Sequence, residues 1–192
     1  MSDVSESLQV RTDADEACMA RLRSLGFNGF VFRGRQGWLT VVPYGGPGSL
    51  GLTDAQLASF AGRLGAPVLN YQVNDSGWGF QLALPDGRTT GFLRWLVSPR
   101  ELGLTDEQAR APVLDKTVLS AVVSLAKVRN ILGAPEVETN EGLQWELFAK
   151  AAGFPEYGQL NPTYATDHPE DMRRLGGIEI GSRPESMHHT QP

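Results

Sequence analysis

In Val68-Leu69-Asn70-Tyr71-Gln72-Val73 the apolar side chains alternate with polar ones, so Leu69, Tyr71 and Val73 share one side of an extended chain. The alternation resumes in Trp78, Phe80, Leu82 and Leu84 after Asn74-Asp75-Ser76-Gly77, a turn composition that permits positive φ. The two runs predict a hairpin over about 67–84. Two shorter β-prone runs, Gly29–Arg33 and Trp38–Val42, flank Gly34-Arg35-Gln36-Gly37 and predict a second hairpin over 29–43, ended by Pro43. A further strand over 88–97, with Phe92, Trp95 and Val97, follows the turn Pro85-Asp86-Gly87. The expected sheet is antiparallel, with about five strands.

Helical spacing marks four other segments. Near 13–25, Asp13, Asp15 and Glu16 sit at the positive end, Ala14, Cys18, Leu22 and Leu25 form one face, and Gly26 closes the helix. Near 53–64, Thr53 and Gln56 have the spacing of a capping box, Leu57, Phe60, Ala61 and Leu64 follow at helical intervals, and Gly65 and Pro67 stop the run. Near 115–132, Val118, Leu119, Val122, Val123, Leu125 and Ala126 make a wide apolar arc suited to a main core helix. Near 142–152, Leu143, Leu147 and Phe148 form a stripe flanked by Trp145 and Ala151. Helices of this kind beside an antiparallel sheet of hairpins predict an α+β fold.

Leu104-Thr105-Asp106-Glu107-Gln108 repeats the cap chemistry of residues 52–56, and Ala111-Pro112-Val113 echoes Ala66-Pro67-Val68. Reused helix punctuation explains both with fewer assumptions than a duplication. Residues 1–12, rich in Ser and acid, read as a flexible lead-in, residues 13–160 as a single domain, and residues 161–192, spaced by Pro162, Pro169 and Pro184, as an irregular and partly disordered tail.

Charge narrows the partners. With 17 Lys and Arg against 22 Asp and Glu, the net charge is −5, which argues against a nucleic-acid backbone as partner. The single cysteine, Cys18, excludes an intrachain disulfide and a cysteine zinc site, and its place on an apolar helix stripe suits an inert buried thiol in a reducing compartment. No 18-residue apolar run suggests a membrane span, and residues 1–12 do not have the basic and apolar regions of a secretory signal; the expected location is cytoplasmic.

The search for chemistry returns little. The three histidines, His168, His188 and His189, all fall late in the chain, which leaves the body of the domain without the usual base for a serine nucleophile. Gly48-Ser49-Leu50-Gly51 is preceded by Pro47 where a nucleophile elbow needs Gly, and the Gly45–Gly51 loop fits neither phosphate-binding glycine pattern. Asp167-His168-Pro169-Glu170-Asp171 gathers metal-binding side chains, but Pro169 breaks the helix that would align them. Asp75 and Asp86 suit turn hydrogen bonds, and Glu136, Glu138 and Glu141 suit solvated helix ends. No cofactor or metal is expected.

The aromatic residues Trp38, Tyr71, Trp78, Phe80, Phe92 and Trp95 fall within the sheet, and core packing is their default role. Were Trp38 or Trp95 exposed beside Arg33, Arg35, Arg88 or Arg94, an open sheet face would become a recognition surface. The leading expectation is therefore a noncatalytic protein-binding module of bacterial type, regulatory or toxin-neutralising like an immunity protein, docking a basic partner through Arg35, Trp38, Tyr71, Asp75, Trp78, Arg94 and Trp95. One alternative is a small-molecule binder or enzyme with a pocket between sheet and helices, using Tyr71, Arg94, Asp75 or Ser49. Another is a homo-oligomer joined through sheet edges.

Overall fold

A computed structural model describes residues 5–34, 36–45, 52–133, 144–155 and 160–182. The strands are β1 (Ser5–Arg11), β2 (Gly29–Arg33), β3 (Trp38–Pro43), β4 (Val68–Asn74), β5 (Gly77–Ala83), β6 (Thr89–Trp95) and β7 (Ile178–Ile180). They form one antiparallel sheet in the order β6-β5-β4-β1-β3-β2-β7. The helices are α1 (Asp15–Ser24), α2 (Asp54–Leu64), α3 (Lys116–Ser120), α4 (Leu125–Gly133), α5 (Gln144–Ala152), α6 (Pro162–Asp167) and α7 (Pro169–Arg174). The α+β class and both hairpins match the sequence pattern; the sheet has seven strands in place of about five.

The two additional strands come from segments expected to lie outside the domain. Residues 5–11 are the central strand, with Leu8 opposite both Val41 of β3 and Asn70 of β4. Alternation in β1 is masked because one side carries Ser7 and Gln9. Both are buried, and they satisfy each other: Gln9 Nε2 donates to Ser7 Oγ at 2.8 Å, and Thr40 Oγ1 donates to Gln9 Oε1 at 2.9 Å. At the other end, the prolines read as breakers start helices instead. Pro162 and Pro169 each occupy the first turn of a helix, where a proline forfeits no hydrogen bond, and Asn161 Oδ1 caps α6 by accepting from the N–H groups of Thr163 and Tyr164. β7 then pairs with β2.

Capping and stop signals explain the helix lengths. Both halves of the Thr53/Gln56 capping box form, and Gly65 ends α2 in the left-handed conformation at φ 72°. Thr105 and Gln108 make the same reciprocal bonds, yet only one turn follows, closed by Ala109 N–H to Thr105 C=O at 2.9 Å. Pro112 arrives too soon: it has no N–H and disfavours helical backbone at Ala111. The expected helix over 115–132 is likewise two helices, α3 and α4, separated at Ala121–Ser124, where two adjacent β-branched valines precede a serine whose C=O opens the next turn.

Strand alternation sorts the core into two sides. Leu8, Val10, Val31, Leu39, Val41 and Val68 point to α1 and α2, meeting Cys18, Met19, Leu22, Leu57, Ala61 and Leu64. On the opposite side Trp38, Leu69, Tyr71, Val73, Trp78, Phe80 and Leu82 meet residues of α3, α4 and α5, while Phe30, Phe32 and Val42 meet Ala165 of α6 and Met172 of α7. Helices therefore cover both faces of the sheet.

Burial has a consequence at high pH. It holds the Cys18 thiol up at about 11 rather than 9.0, with Asp15 adding to the effect. Burial, with Glu146 second, also raises the Tyr71 phenol well above the ordinary tyrosine value. Both groups keep their protons to higher pH folded than unfolded, so neither weakens the fold below pH 9 and both do as pH rises through the unfolded values. The melting temperature is expected to fall from pH 9 upward and more steeply above about pH 10. Melting curves at pH 7, 9 and 10.5 check this, and Cys18→Ala should remove the first part of the decline.

Candidate functional site

Among the described residues, the surface richest in exposed apolar side chains is built around β6, an edge strand. After Trp95 the chain leaves the sheet, and from Leu96 to Asp115 it runs through turns, forming neither helix nor strand. Long stretches of this kind in a compact domain commonly carry function. This strap is pinned to the edge at three places. Trp95 Nε1 donates to Ala109 C=O at 3.1 Å, Pro112 packs over Gly91, and Asp115 N–H donates to Thr90 Oγ1 at 2.6 Å. Asp115 then caps α3, its Oδ1 accepting from the N–H groups of Thr117 at 2.7 Å and Val118 at 3.3 Å. The strap thus crosses the sheet edge with fixed ends.

Three of its apolar side chains face outward, while Leu114 packs against the core. Val113 is 90% exposed, Leu96 41% and Leu102 37%. Among the described residues only Tyr164 and Leu175, on and just after the α6–α7 pair, are large, apolar and comparably exposed. Isolated exposed apolar side chains are ordinary; three on one anchored segment beside a partly exposed tryptophan make this the candidate surface.

Of the expected binding residues, three are core. Trp38 is buried edge-on to Phe154 with ring centroids 5.0 Å apart, and its Nε1 donates to Ala152 C=O at 3.2 Å. Tyr71 is buried beside Phe148, its hydroxyl donating to Trp145 C=O at 2.6 Å. Trp78 lies buried between Phe92 and Phe148. An open aromatic sheet face is therefore ruled out at these positions by the helices that cover them.

Arg94 works as a helix cap. Its guanidinium donates to the C=O of Leu132 at 2.9 Å, of Ile131 at 3.4 Å, and to Gln144 Oε1, which ties the end of α4 to the start of α5. Asp75 is exposed at the tip of the β4–β5 hairpin, but the turn bonds expected of it are made by Asn74, whose Oδ1 accepts from the N–H groups of Ser76 and Gly77. None of residues 74–77 adopts positive φ. Among the described residues of the set, Trp95 is the one whose side chain bonds the strap, through Nε1 to Ala109 C=O. Arg35, Ser49, Glu136, Glu138, Glu141, His188 and His189 lie outside the described residues.

Two other surface features are chemically legible. An open depression of about 550 Å³ is lined by Thr12, Asp13, Asp15, Glu16 and small residues including Gly34 and Gly37. Glu16 is paired with Arg33 there. On α6 and α7, Tyr164 lies tilted against His168 with centroids 4.4 Å apart and donates to Asp171 Oδ2 at 2.9 Å, while Arg174 bonds the other carboxylate oxygen. Among the described residues no group of three or more His, Cys, Asp or Glu side chains is placed to hold a metal ion, and no helix is long and apolar enough to cross a membrane.

The strap was not singled out by periodicity because it has none. The available signal was composition: Leu96, Leu102, Leu104 and Val113 scattered among Pro99, Gly103 and Pro112, too apolar for a solvated loop and too interrupted for a helix. Comparison of the chain with protein-family models, with curated proteins and with solved structures finds no match.

Proposed function

We propose that this chain is a noncatalytic protein-binding module, acting in the cytoplasm, that docks a protein partner on the strap and the adjoining edge of β6. The observation that carries the reading is the exposure of Leu96, Leu102 and Val113 on a segment fixed to the sheet at both ends. A pre-anchored surface gives up little conformational entropy on binding, which favours the use of exposed apolar side chains as contacts. The net charge of −5 adds attraction for a basic partner, regulatory target or toxin alike, with a salt dependence that the apolar contact itself would not have.

The test is capture from lysate of the native source at low and high salt, with wild type and the L102D/V113D variant as baits. Both side chains are exposed, so the variant is expected to melt within a few degrees of wild type. Wild type should retain one stoichiometric protein, more strongly at low salt, and the variant should retain at least tenfold less. Equal retention by a folded variant would overturn the assignment of the strap.

A further inference from the structure

The outer edge of β6 carries main-chain groups that the sheet does not use. β5 and β6 pair with Leu82 opposite Thr90, Phe80 opposite Phe92 and Trp78 opposite Arg94. The bonds at the two ends of this ladder, Leu84 N–H to Arg88 C=O at 2.9 Å and Leu96 N–H to Ser76 C=O at 2.8 Å, fix its phase: the even-numbered residues of β6 bond to β5. Antiparallel geometry then turns the N–H and C=O groups of Gly91, Leu93 and Trp95 away from the sheet. Among the described residues no hydrogen bond reaches them. Pro112, which has no N–H to offer, lies over Gly91, whereas Leu93 and Trp95 remain partly exposed.

From this pattern we infer that β6 takes up an extended peptide segment of a protein partner by strand addition along Leu93–Trp95, the segment's main chain bonding the outward groups of those two residues. This rests on the protein-binding reading above and names the part of the partner that is recognised. Strand addition draws affinity from main-chain hydrogen bonds and selectivity from alternate side chains. Here the neighbouring Leu96 and the partly exposed Trp95 favour apolar residues in the segment, and the charge of −5 favours flanking Lys or Arg.

The probe is a phage-displayed library of random twelve-residue peptides selected against the full chain. Enriched peptides should alternate apolar and polar residues with basic flanks. Leu93→Pro removes one outward N–H from an edge strand, a place where proline is tolerated, and should weaken peptide binding at least tenfold, while Leu93→Ala weakens it less than threefold. Amide exchange of the wild-type chain supplies a readout independent of how well the proline variant folds: the Leu93 and Trp95 amides should slow on addition of peptide. Peptides that bind a folded Leu93→Pro variant undiminished, an enrichment that fails, or unchanged exchange at Leu93 and Trp95 would each overturn strand addition. A lysate partner still held by Leu93→Pro but lost by L102D/V113D would overturn it while leaving the strap as the docking surface.

Discussion

Removal of residues 1–11 is expected to leave no cooperatively folded protein. β1 lies between β3 and β4, so its loss strips hydrogen-bonding partners from two interior strands and opens the sheet in the middle. Leu8 and Val10 leave the core beneath α1 and α2, and the buried Thr40 hydroxyl loses Gln9 as acceptor. Stripping a central strand and unsatisfying a buried polar group together exceed the roughly 5–15 kcal/mol by which domains are stable. Thermal melts followed by circular dichroism check this. A truncated chain that melts like the full one would show that the lead-in is dispensable.

Phe148→Ala is expected to destabilise the fold by about 3–5 kcal/mol, the range for emptying a large buried aromatic site. Phe148 is fully buried, stacks on Phe80 with centroids 5.0 Å apart and planes 8° from parallel, and touches Trp78 at 5.6 Å, Phe154 at 5.9 Å and Tyr71 at 6.2 Å. With Trp145 and Ala149 it joins α5 to the aromatic face of β4 and β5. For a chain of this length the loss lowers the melting temperature by roughly 6–20 °C. The outcome separates two roles for Tyr71 and Trp78. As core residues they depend on Phe148; as an exposed recognition surface they would not, and a melting change below about 2 °C would favour the latter.

Segments with one uniformly apolar side were legible in the sequence. Leu69, Tyr71 and Val73, with Trp78, Phe80 and Leu82, announce their hairpin because all six enter one core. β1 was hidden because a buried polar trio of Ser7, Gln9 and Thr40 takes the place of an apolar side, and such a network is stable only through partners far apart in sequence. Local chemistry was readable to the same limit. Thr53 and Gln56 cap a helix, while the identical Thr105 and Gln108 pair caps a single turn, because Pro112 decides how far the helix continues. In the candidate site the residue types were right for an interface, but which tryptophan is buried depends on strand order. Trp38 and Trp78 lie under helices; Trp95, on the edge strand and facing the other way, does not.

The most direct test of the strap as docking surface is an amide-exchange map of the full chain, free and saturated with the protein it captures. The account predicts slowed exchange concentrated between Gly91 and Val113, with the exposed sides of α1, α2, α6 and α7 unchanged. Protection at the acid-lined depression around Asp13 and Glu16, or on α6 and α7, with the strap exchanging as in the free chain, would contradict it.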